Sequence, residues 1–203
     1  EPQVAMGYSM GECSSMWYAL EMWKPSETSL FQESPIFKTR FAGNLQLLAE
    51  HWGVSSDEAK KRWVSMVVLA PKEAVEKMIA KHDKVFLTFI NTDEEVVISG
   101  DKKTCQSIVK QLGAKAIVVP FQNVIHHDFC RKEYEGLLKM HQFDLQSKPN
   151  IAFYSSMEND FITLDKNSIA KNSTEVCCKS VNFTNTVRGA YDKGVRVFVE
   201  VGA

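Results

Sequence analysis

A serine with the setting of a nucleophile lies near the start of the chain. Gly-Tyr-Ser-Met-Gly at residues 7–11 matches the pattern G-x-S-x-G and follows the apolar run at residues 4–6. The glycines of this pattern allow a strained strand-to-helix turn that presents the hydroxyl of Ser9 at the helix N-terminus. There the backbone N–H of Met10 and the helix dipole would stabilise an oxyanion. The alternative is a tight connection in which the serine is incidental.

A nucleophilic serine needs a base, and the chain has five histidines. His51 and His82 fall near predicted helix ends, and His141 follows a predicted helix among polar residues. His126 and His127 lie in a connection that leaves a predicted strand, where catalytic side chains tend to lie. Either of these two is a candidate base, and the alternative is a loop histidine that bonds to backbone.

Two predicted helices follow the serine. Apolar residues recur at helical spacing after the turn, at Cys13, Met16, Trp17, Leu20 and Trp23. A second helix is predicted from Ser34, as the N-cap before Pro35, to Gly53. Its apolar stripe consists of Phe37, Phe41, Leu45, Leu48 and Trp52. Arg40 lies beside that stripe.

The middle of the chain alternates strands and helices. Strands are predicted at residues 64–69, 85–90, 95–99 and 116–119, and helices at 71–81 and 101–113. The order β-α-β-β-α-β is that of a ferredoxin-like unit, which predicts a small subdomain over residues 63–120.

The last third returns to an α/β pattern. A helix is predicted at residues 128–140, a strand at 151–155, a helix at 185–193 and a final strand at 195–201, with a polar, loop-like stretch at 156–172. Residues 1–62 and 121–203 are therefore expected to form one large α/β subdomain that the small one interrupts.

Composition and charge disfavour several classes of function. The chain has 203 residues and a formal net charge of -1, which disfavours nucleic-acid binding because no basic excess is present. The longest apolar runs are too short to cross a membrane. Five cysteines without regular spacing argue against a disulfide framework and favour the reducing cytoplasm, and no ligand spacing indicates a metal.

Several landmarks in order carry a resemblance to one family. With Glu12, residues 7–12 resemble the G-H-S-x-G-E motif of malonyl-CoA:acyl-carrier-protein transacylases and of the acyltransferase domains of polyketide and fatty acid synthases. Residues 91–100 are similar to the family's N-x-x-x-x-V-V-I-x-G stretch, and residues 181–183 and 198–202 are similar to its later landmarks. Residues 34–41 and the tyrosine at position 8 resemble the acyltransferase domains of polyunsaturated fatty acid synthases. The resemblance implies an α/β-hydrolase-like large subdomain with an inserted ferredoxin-like small subdomain.

The resemblance also assigns roles to residues. Ser9 would be the nucleophile, His126 the base and Arg40 the partner of a malonyl carboxylate, since a guanidinium binds a carboxylate in a bidentate manner. The alternative for Arg40 is an ordinary ion pair with Glu33 or Glu50. The substrate pocket is expected to include Tyr8, Asn91 and Asn123. The four residues that end at His126 match neither the malonyl nor the methylmalonyl form of the polyketide motif.

The implied reaction is transfer of an acyl group, with malonyl expected, from acyl-CoA through a serine ester to the phosphopantetheine thiol of an acyl carrier protein. CoA is then a substrate, no bound cofactor is expected, and a ketosynthase and further domains are expected partners. A serine thioesterase or hydrolase, or an inactive fragment or docking module, are the alternatives. The family's early strands, its second oxyanion donor and its histidine-orienting group are expected to lie outside these residues. Apolar surface near residues 4–6 and 197–201 is therefore expected to be uncovered.

Overall fold

The elements that hold the predicted nucleophile form a small sheet. A computed structural model describes residues 1–16, 20–24 and 33–201. Its first sheet has the order β1-β6-β7, with β1 at Val4–Ala5, β6 at Ala152–Ser155 and β7 at Asp160–Ile162. Strand β1 runs parallel to β6, and β7 runs antiparallel to it. The helix α1, Met10–Ser14, follows β1 after a four-residue connection.

A second sheet has five strands in the order β5-β2-β4-β3-β8. The strands are β2 at Trp63–Leu69, β3 at Val85–Ile90, β4 at Glu95–Asp101, β5 at Lys115–Val118 and β8 at Val181–Asn182. The first four pair antiparallel, and β8 adds parallel to β3. The sequence pattern does not predict this fifth strand. It joins the last part of the chain to this sheet, and the division of the chain at residues 62 and 120 stays a prediction.

Helices cover one face of this sheet, because successive side chains of a strand point to opposite faces and those on this face are apolar. Alternate residues of β2 and β4, such as Val68 and Ile98, are fully buried in a cluster with residues of the covering helices. Those helices are α4, Lys72–Ile79, and α5, Lys102–Leu112. Helix α5 is bounded as the sequence predicts. The Asp101 side chain accepts from the N–H of Thr104 at its start, and Gly113 ends it in the left-handed conformation, with φ 62°.

The second predicted helix is two helices in the structure. A π-helix spans Ile36–Phe41, and α2 spans Gln46–Trp52, where Gly53 ends it. The break lies at residues 42–45, where Gly43 has φ 53° and Leu45 has φ 47°. A side chain at Gly43 would place its Cβ 2.4 Å from the carbonyl oxygen of Lys38, so the chain turns back tightly there. The predicted apolar stripe is still largely buried, because both helices face one core.

The first predicted helix is also shorter than its apolar spacing indicates. The α-helical part, α1, spans Met10–Ser14, and residues 15 and 16 continue it as a π-helix, whereas Leu20 and Trp23 are buried in the same cluster without being helical. Trp17 lies outside the described residues. The spacing therefore identifies the buried side chains correctly, while the chain around residues 20–24 reaches the same core without a helix.

One further helix is not predicted by periodicity because its apolar stripe is short. Helix α3 spans Ser56–Arg62, and the side chain of Ser55 accepts from the backbone N–H of Glu58 at its start. A serine followed three residues later by glutamate is a capping-box pattern, so the sequence does contain the signal.

The polar stretch at residues 156–172 is predicted as a loop, and this prediction is wrong. It contains β7 and the first half of α7, a 13-residue helix at Lys166–Cys178. Its interior positions include Asn172, Ser173 and Thr174, which are fully buried although they are polar. Because these polar residues interrupt the buried apolar residues of the helix, such as Ile169 and Val176, hydrophobic periodicity gives only a weak signal.

The predicted final strand is absent from the described residues. The helix predicted at residues 128–140 is a 3₁₀ helix, Asp128–Glu133, followed by α6, Tyr134–Met140. The last element of the described chain is α8, Phe183–Asp192. Residues 195–201 pair with no described strand, and Val197, Val199 and Val201 are largely exposed. A strand needs a neighbour for its backbone groups, which alternation in the sequence alone does not supply. Residues 4–6, in contrast, are half-buried.

No helix in the described part of the chain combines the length and the apolar character that spanning a membrane requires.

The side chain of Asp165 caps the N-terminus of α7. Its Oδ1 accepts from the N–H groups of Asn167 and Ser168 at 2.9 and 3.1 Å, and its Oδ2 accepts from the Ser168 hydroxyl at 2.7 Å. We expect Asp165→Ala to lower the free energy of unfolding by about 1 kcal/mol, measured by urea denaturation. Asp165→Asn keeps the acceptor and should cost clearly less. Equal stability of the alanine variant and the native chain would contradict this role of the cap.

Candidate active site

The predicted nucleophile lies in a strained turn between β1 and α1. Ser9 has φ 55° and ψ -122°, a conformation that non-glycine residues rarely adopt. Gly7 is required by space, because a Cβ there would lie 2.2 Å from the Cα of Glu12. A Cβ at Gly11 would meet no described atom within 4 Å, so the close-approach argument holds for the first glycine alone. The turn keeps Ser9 half-buried at the first turn of α1.

The structure pairs Ser9 with one of the two candidate histidines. The Oγ of Ser9 lies 2.8 Å from the Nε2 of His126, which is 117 residues away in the chain. His126 is almost fully buried and has φ 67°, so its backbone is also held in an uncommon conformation. The distance is that of a hydrogen bond, which a serine nucleophile would need to make with a histidine base.

The end of α7 holds the other side of the histidine. The Nδ1 of His126 lies 2.7 Å from the carbonyl oxygen of Val176, and its backbone N–H donates to the carbonyl of Cys177 at 2.8 Å. A carbonyl can only accept, so the ring proton resides on Nδ1 and leaves Nε2 free to accept from Ser9. Both carbonyls belong to the last turn of α7, where helix carbonyls lack partners within the helix. Among the described residues the carbonyl of Val176 therefore holds the ring. The expectation that the family's own orienting group lies outside these residues stays a prediction.

Burial keeps this histidine neutral. Removal from water lowers the pKa of His126 to about 4, and the hydrogen bonds to backbone only partly offset that effect. A base must be unprotonated before it can take a proton, so at neutral pH His126 is in the form that the predicted role requires. The negative end of the α7 dipole faces the ring and would favour an imidazolium if the ring accepted a proton.

The neighbouring His127 does not contact Ser9. It is buried, and neither ring nitrogen has a hydrogen-bond partner among the described residues. Its ring stacks on Phe129 at 4.9 Å and meets Phe86 and Trp63 edge to face. Burial holds the pKa of His127 well below its usual value. The geometry therefore separates the two histidines that sequence position alone leaves equivalent.

Tyr8 and Asn91 lie together beside the pair. The hydroxyl of Tyr8 donates to the Oδ1 of Asn91 at 2.6 Å, and the Asn91 side chain donates to Glu95 at 2.8 Å. Phe89 stacks on Tyr8 at 5.2 Å and meets the ring of His126 at 4.6 Å. Phe89 is not among the predicted site residues. It forms the wall that links the turn at Ser9 to the five-stranded sheet.

A β-bulge explains why the sequence does not indicate Phe89. Strict alternation would place Phe86 and Phe89 on opposite faces of β3. The register with β4 shifts between Leu87 and Phe89, so that Phe86 pairs with Ser99 and Phe89 with Val97, two residues apart on one face. Both rings therefore face the two histidines. The residue at the bulge, Thr88, is polar, but hydrophobic alternation alone does not show that the register shifts there.

Arg40 is occupied by two carboxylates. Its Nη1 and Nη2 donate to both oxygens of Glu50 at 2.8 and 2.9 Å, and its Nε donates to Glu133 at 2.6 Å. The structure thus forms the Glu50 ion pair that the sequence leaves as an alternative. No described contact joins Arg40 to Ser9 or His126.

Asn123 is used through its backbone. Its carbonyl accepts from the indole N–H of Trp63 at 2.9 Å, which anchors the loop before His126 to the start of β2. No described contact connects its side chain with Ser9 or His126. Of the three residues expected to line the pocket, Tyr8 and Asn91 therefore lie in one network, and Asn123 supports the loop.

An open groove of about 510 Å³ borders His126. Strand β3 forms one side through Val85, Phe86 and Leu87, and residues 178–180 at the end of α7 form the other. The groove combines these apolar side chains with polar ones, including Asp128 and Lys179, and leaves an open approach to the buried His126.

Comparison with solved structures defines the fold class. The chain matches an acyltransferase domain of the salinomycin polyketide synthase with a TM-score of 0.70 and 16% identity, over 96% of this chain and 42% of that one. It matches malonyl-CoA:acyl carrier protein transacylases of Helicobacter pylori, with a TM-score of 0.73 and 18% identity, and of Xanthomonas oryzae, with 0.72 and 16%. The match to the Helicobacter pylori enzyme covers 95% of this chain and 58% of that one, and the match to the Xanthomonas oryzae enzyme covers 96% of this chain and 59% of that one. The fold is therefore that of the malonyl-CoA transacylases and polyketide acyltransferase domains.

A curated relative is similar over nearly the whole chain. The sequence is 26% identical over 217 aligned positions to a polyunsaturated fatty acid synthase subunit of Thraustochytrium sp., covering 99% of this chain and 11% of that protein. No family model matches the sequence. The chain thus spans roughly half of the solved structures and about a tenth of the curated relative. These matches confirm the resemblance predicted from the motifs.

The low pKa of His126 predicts an unusual pH profile. Protonation of His126 below its pKa removes the acceptor of the Ser9 proton, so reactivity should be lost as pH falls through about 4 rather than 6.5. We expect the rate constant for modification of Ser9 by a fluorophosphonate probe to stay nearly flat from about pH 8 to about pH 5. A midpoint near the ordinary histidine value would contradict the buried, neutral base.

Two controls accompany this profile. Between pH 6.5 and 4 the unfolded chain binds more protons at His126 than the folded chain. The free energy of unfolding therefore also decreases as pH falls through that window. Circular dichroism at each pH therefore identifies the folded range. His127→Phe removes the other buried imidazole and should leave the midpoint unchanged, because His127 does not contact Ser9.

Proposed function

We propose that this chain carries the active site of an acyltransferase that moves an acyl group from CoA, through an ester on Ser9, to the phosphopantetheine thiol of an acyl carrier protein. The observation that supports this most directly is the 2.8 Å contact between the Oγ of Ser9 and the Nε2 of His126. The fold shared with malonyl-CoA:acyl carrier protein transacylases supports the same class of reaction.

The first half-reaction would load the serine. As the Oγ of Ser9 attacks the thioester carbonyl carbon, its proton passes to the Nε2 of His126. The resulting oxyanion would be stabilised by the backbone N–H of Met10, which opens α1 and has no acceptor within that helix. When the C–S bond breaks, His126 returns the proton to the CoA sulfur and the acyl ester remains.

The second half-reaction would reverse these roles. His126 takes the proton of the pantetheine thiol, and the sulfur attacks the ester carbonyl. When the C–O bond breaks, the proton on His126 returns to the Oγ of Ser9. The groove beside His126 offers one approach by which the pantetheine thiol could reach the base.

The way in which His126 is held argues against the hydrolase alternative. A Ser-His-Asp enzyme orients the histidine with a carboxylate. In the described part of the chain the Nδ1 of His126 meets the carbonyl oxygen of Val176 instead. The carrier protein as acceptor, a ketosynthase as neighbour and CoA as the substrate form remain parts of this proposal.

We propose the cytoplasm as the compartment. All five cysteines are free and buried, and burial raises the pKa of thiols such as Cys105 to about 12. Unpaired thiols of this kind fit a reducing environment.

For the acyl group we propose malonyl, with Arg40 as its carboxylate partner. The guanidinium already binds a carboxylate in the bidentate manner that a malonyl group would use. Glu50 is half exposed, and exposed ion pairs contribute little, so exchange of Glu50 for a substrate carboxylate would cost little. The bond from Nε to the more buried Glu133 would keep the guanidinium in place.

Mass spectrometry tests the acyl-enzyme. Incubation of the chain with malonyl-CoA should add one malonyl group to the peptide that contains Ser9, and Ser9→Ala should remain unmodified. Added pantetheine should discharge the ester faster than buffer does, because the proposed acceptor is a thiol. Discharge at the same rate with and without pantetheine would indicate a hydrolase, and acylation of the alanine variant would exclude Ser9.

A pair of variants tests the carboxylate role of Arg40. Arg40→Ala should lower the ratio of malonyl to acetyl acylation by about tenfold or more, the effect of losing charged hydrogen bonds. Glu50→Gln releases Nη1 and Nη2 and should raise that ratio. The matched control Glu58→Gln changes a similarly exposed carboxylate that pairs with Arg62 instead. An unchanged ratio in both Arg40 and Glu50 variants would contradict the assignment.

A further inference from the structure

Glu12 is a fully buried carboxylate that no described cation contacts. Its Oε1 accepts from the side-chain amide of Asn172 at 2.7 Å and from the backbone N–H of Ser156 at 3.1 Å. Its Oε2 accepts from the Ser156 hydroxyl. Burial raises the pKa of Glu12, and these donors oppose that effect. Burial of a carboxylate costs free energy unless hydrogen bonds compensate it. The position of Glu12 therefore indicates a structural role for these bonds.

The bonds of Glu12 join the two halves of the candidate active site. Glu12 lies three residues after Ser9 on α1. Asn172 lies on α7, one helical turn before the carbonyls of Val176 and Cys177 that hold His126. The helix of the nucleophile and the helix that orients the base are therefore linked by one buried hydrogen bond.

Asn172 cannot turn away from this bond without loss. Its Oδ1 accepts from the hydroxyl of Ser155, and the Ser155 oxygen accepts from the N–H groups of Met157 and Glu158 at 3.0 Å each. The amide is therefore fixed with its nitrogen toward Glu12. The turn after β6 supports the pair from a third side. In a buried network each member depends on the others, so loss of one leaves unpaired groups.

We infer that Glu12 and Asn172 form a brace that sets the separation between Ser9 and His126. Neither residue touches the reacting atoms, so both are positioning residues. The brace defines the reactive geometry by fixing α1 against α7, and it would serve any acyl donor. This inference rests on the Ser9–His126 pair of the proposed function, and it adds the residues that align that pair.

The test uses a probe that does not depend on the acyl group. A fluorophosphonate modifies an activated serine, so its maximal rate of inactivation and its half-saturating concentration can be measured separately. Glu12→Met keeps the size of the side chain but accepts no bonds. It should slow the maximal rate about 100-fold, the effect of a displacement of about 1 Å, with the half-saturating concentration unchanged. Glu12→Gln keeps one acceptor and should recover part of the rate.

A double variant separates positioning from stability. Asn172→Asp places two carboxylates against each other and should slow labelling strongly. Combined with Glu12→Gln, it restores a donor facing an acceptor, so the double variant should label faster than Asn172→Asp alone. Ile108→Ala is the matched control, because it opens a buried cavity under α5, away from α1 and α7. It should lower the melting temperature and leave the labelling rate native.

The outcomes are distinct. A native labelling rate in Glu12→Met, or a double variant no faster than Asn172→Asp, would overturn the brace. Labelling of the native chain without acylation by malonyl-CoA would reject the proposed function and leave the brace supported. Absence of labelling in the native chain would overturn the reactive pair and the brace together.

Discussion

The candidate site depends on how the ring of His126 is held by the end of α7. One carbonyl of the last helical turn accepts from the ring, and the next accepts from the backbone N–H of the same residue. These two contacts determine the tautomer, the orientation of the ring and the direction of Nε2 toward Ser9. The last-turn carbonyls of a helix need partners, so this arrangement also completes α7. The requirements of helix termination and of base orientation are met by the same atoms.

In this arrangement a backbone carbonyl contacts the ring where a Ser-His-Asp enzyme has a carboxylate. A carboxylate beside the ring would raise the pKa of the histidine, whereas two carbonyls and the helix dipole supply a weaker negative potential. Burial therefore prevails and the pKa falls to about 4. A thiol gives up its proton far more readily than an alcohol, so the proposed deprotonation of Ser9 demands more of this base than the later deprotonation of the pantetheine thiol. The geometry thus links the orientation of the base to the chemistry that we propose.

Local signals in the sequence predict the parts of the fold that local physics determines. The turn at Ser9, the capped helix between Asp101 and Gly113 and the apolar strands around residues 63–118 all follow from short-range preferences. Helix α7 escapes prediction because it buries polar side chains among its apolar ones, and one of them, Asn172, bonds to Glu12. The prediction of the final strand fails because a strand depends on a partner, which the described residues do not include.

The site itself is predictable in part. Ser9 and the choice between His126 and His127 come from the motif and from position, and the family resemblance singles out His126. The Arg40–Glu50 ion pair is one of the alternatives that the sequence offers. The carbonyl of Val176, the bulge that turns Phe89 toward the histidine and the bond from Arg40 to Glu133 arise only in the folded chain. None of them has a local signal. Glu12 is visible in the motif, but its bonds to Asn172 are visible only in the fold.

The central claim is that a carbonyl at the end of α7 holds His126 as a neutral base with its proton on Nδ1. Nitrogen-15 NMR of the histidine ring at neutral pH measures this directly, with His126→Gln used to assign the signal. The account predicts a protonated Nδ1 and an unprotonated Nε2, with the Nδ1–H signal shifted by its hydrogen bond to Val176. A ring protonated on Nε2, or on both nitrogens, at neutral pH would contradict it.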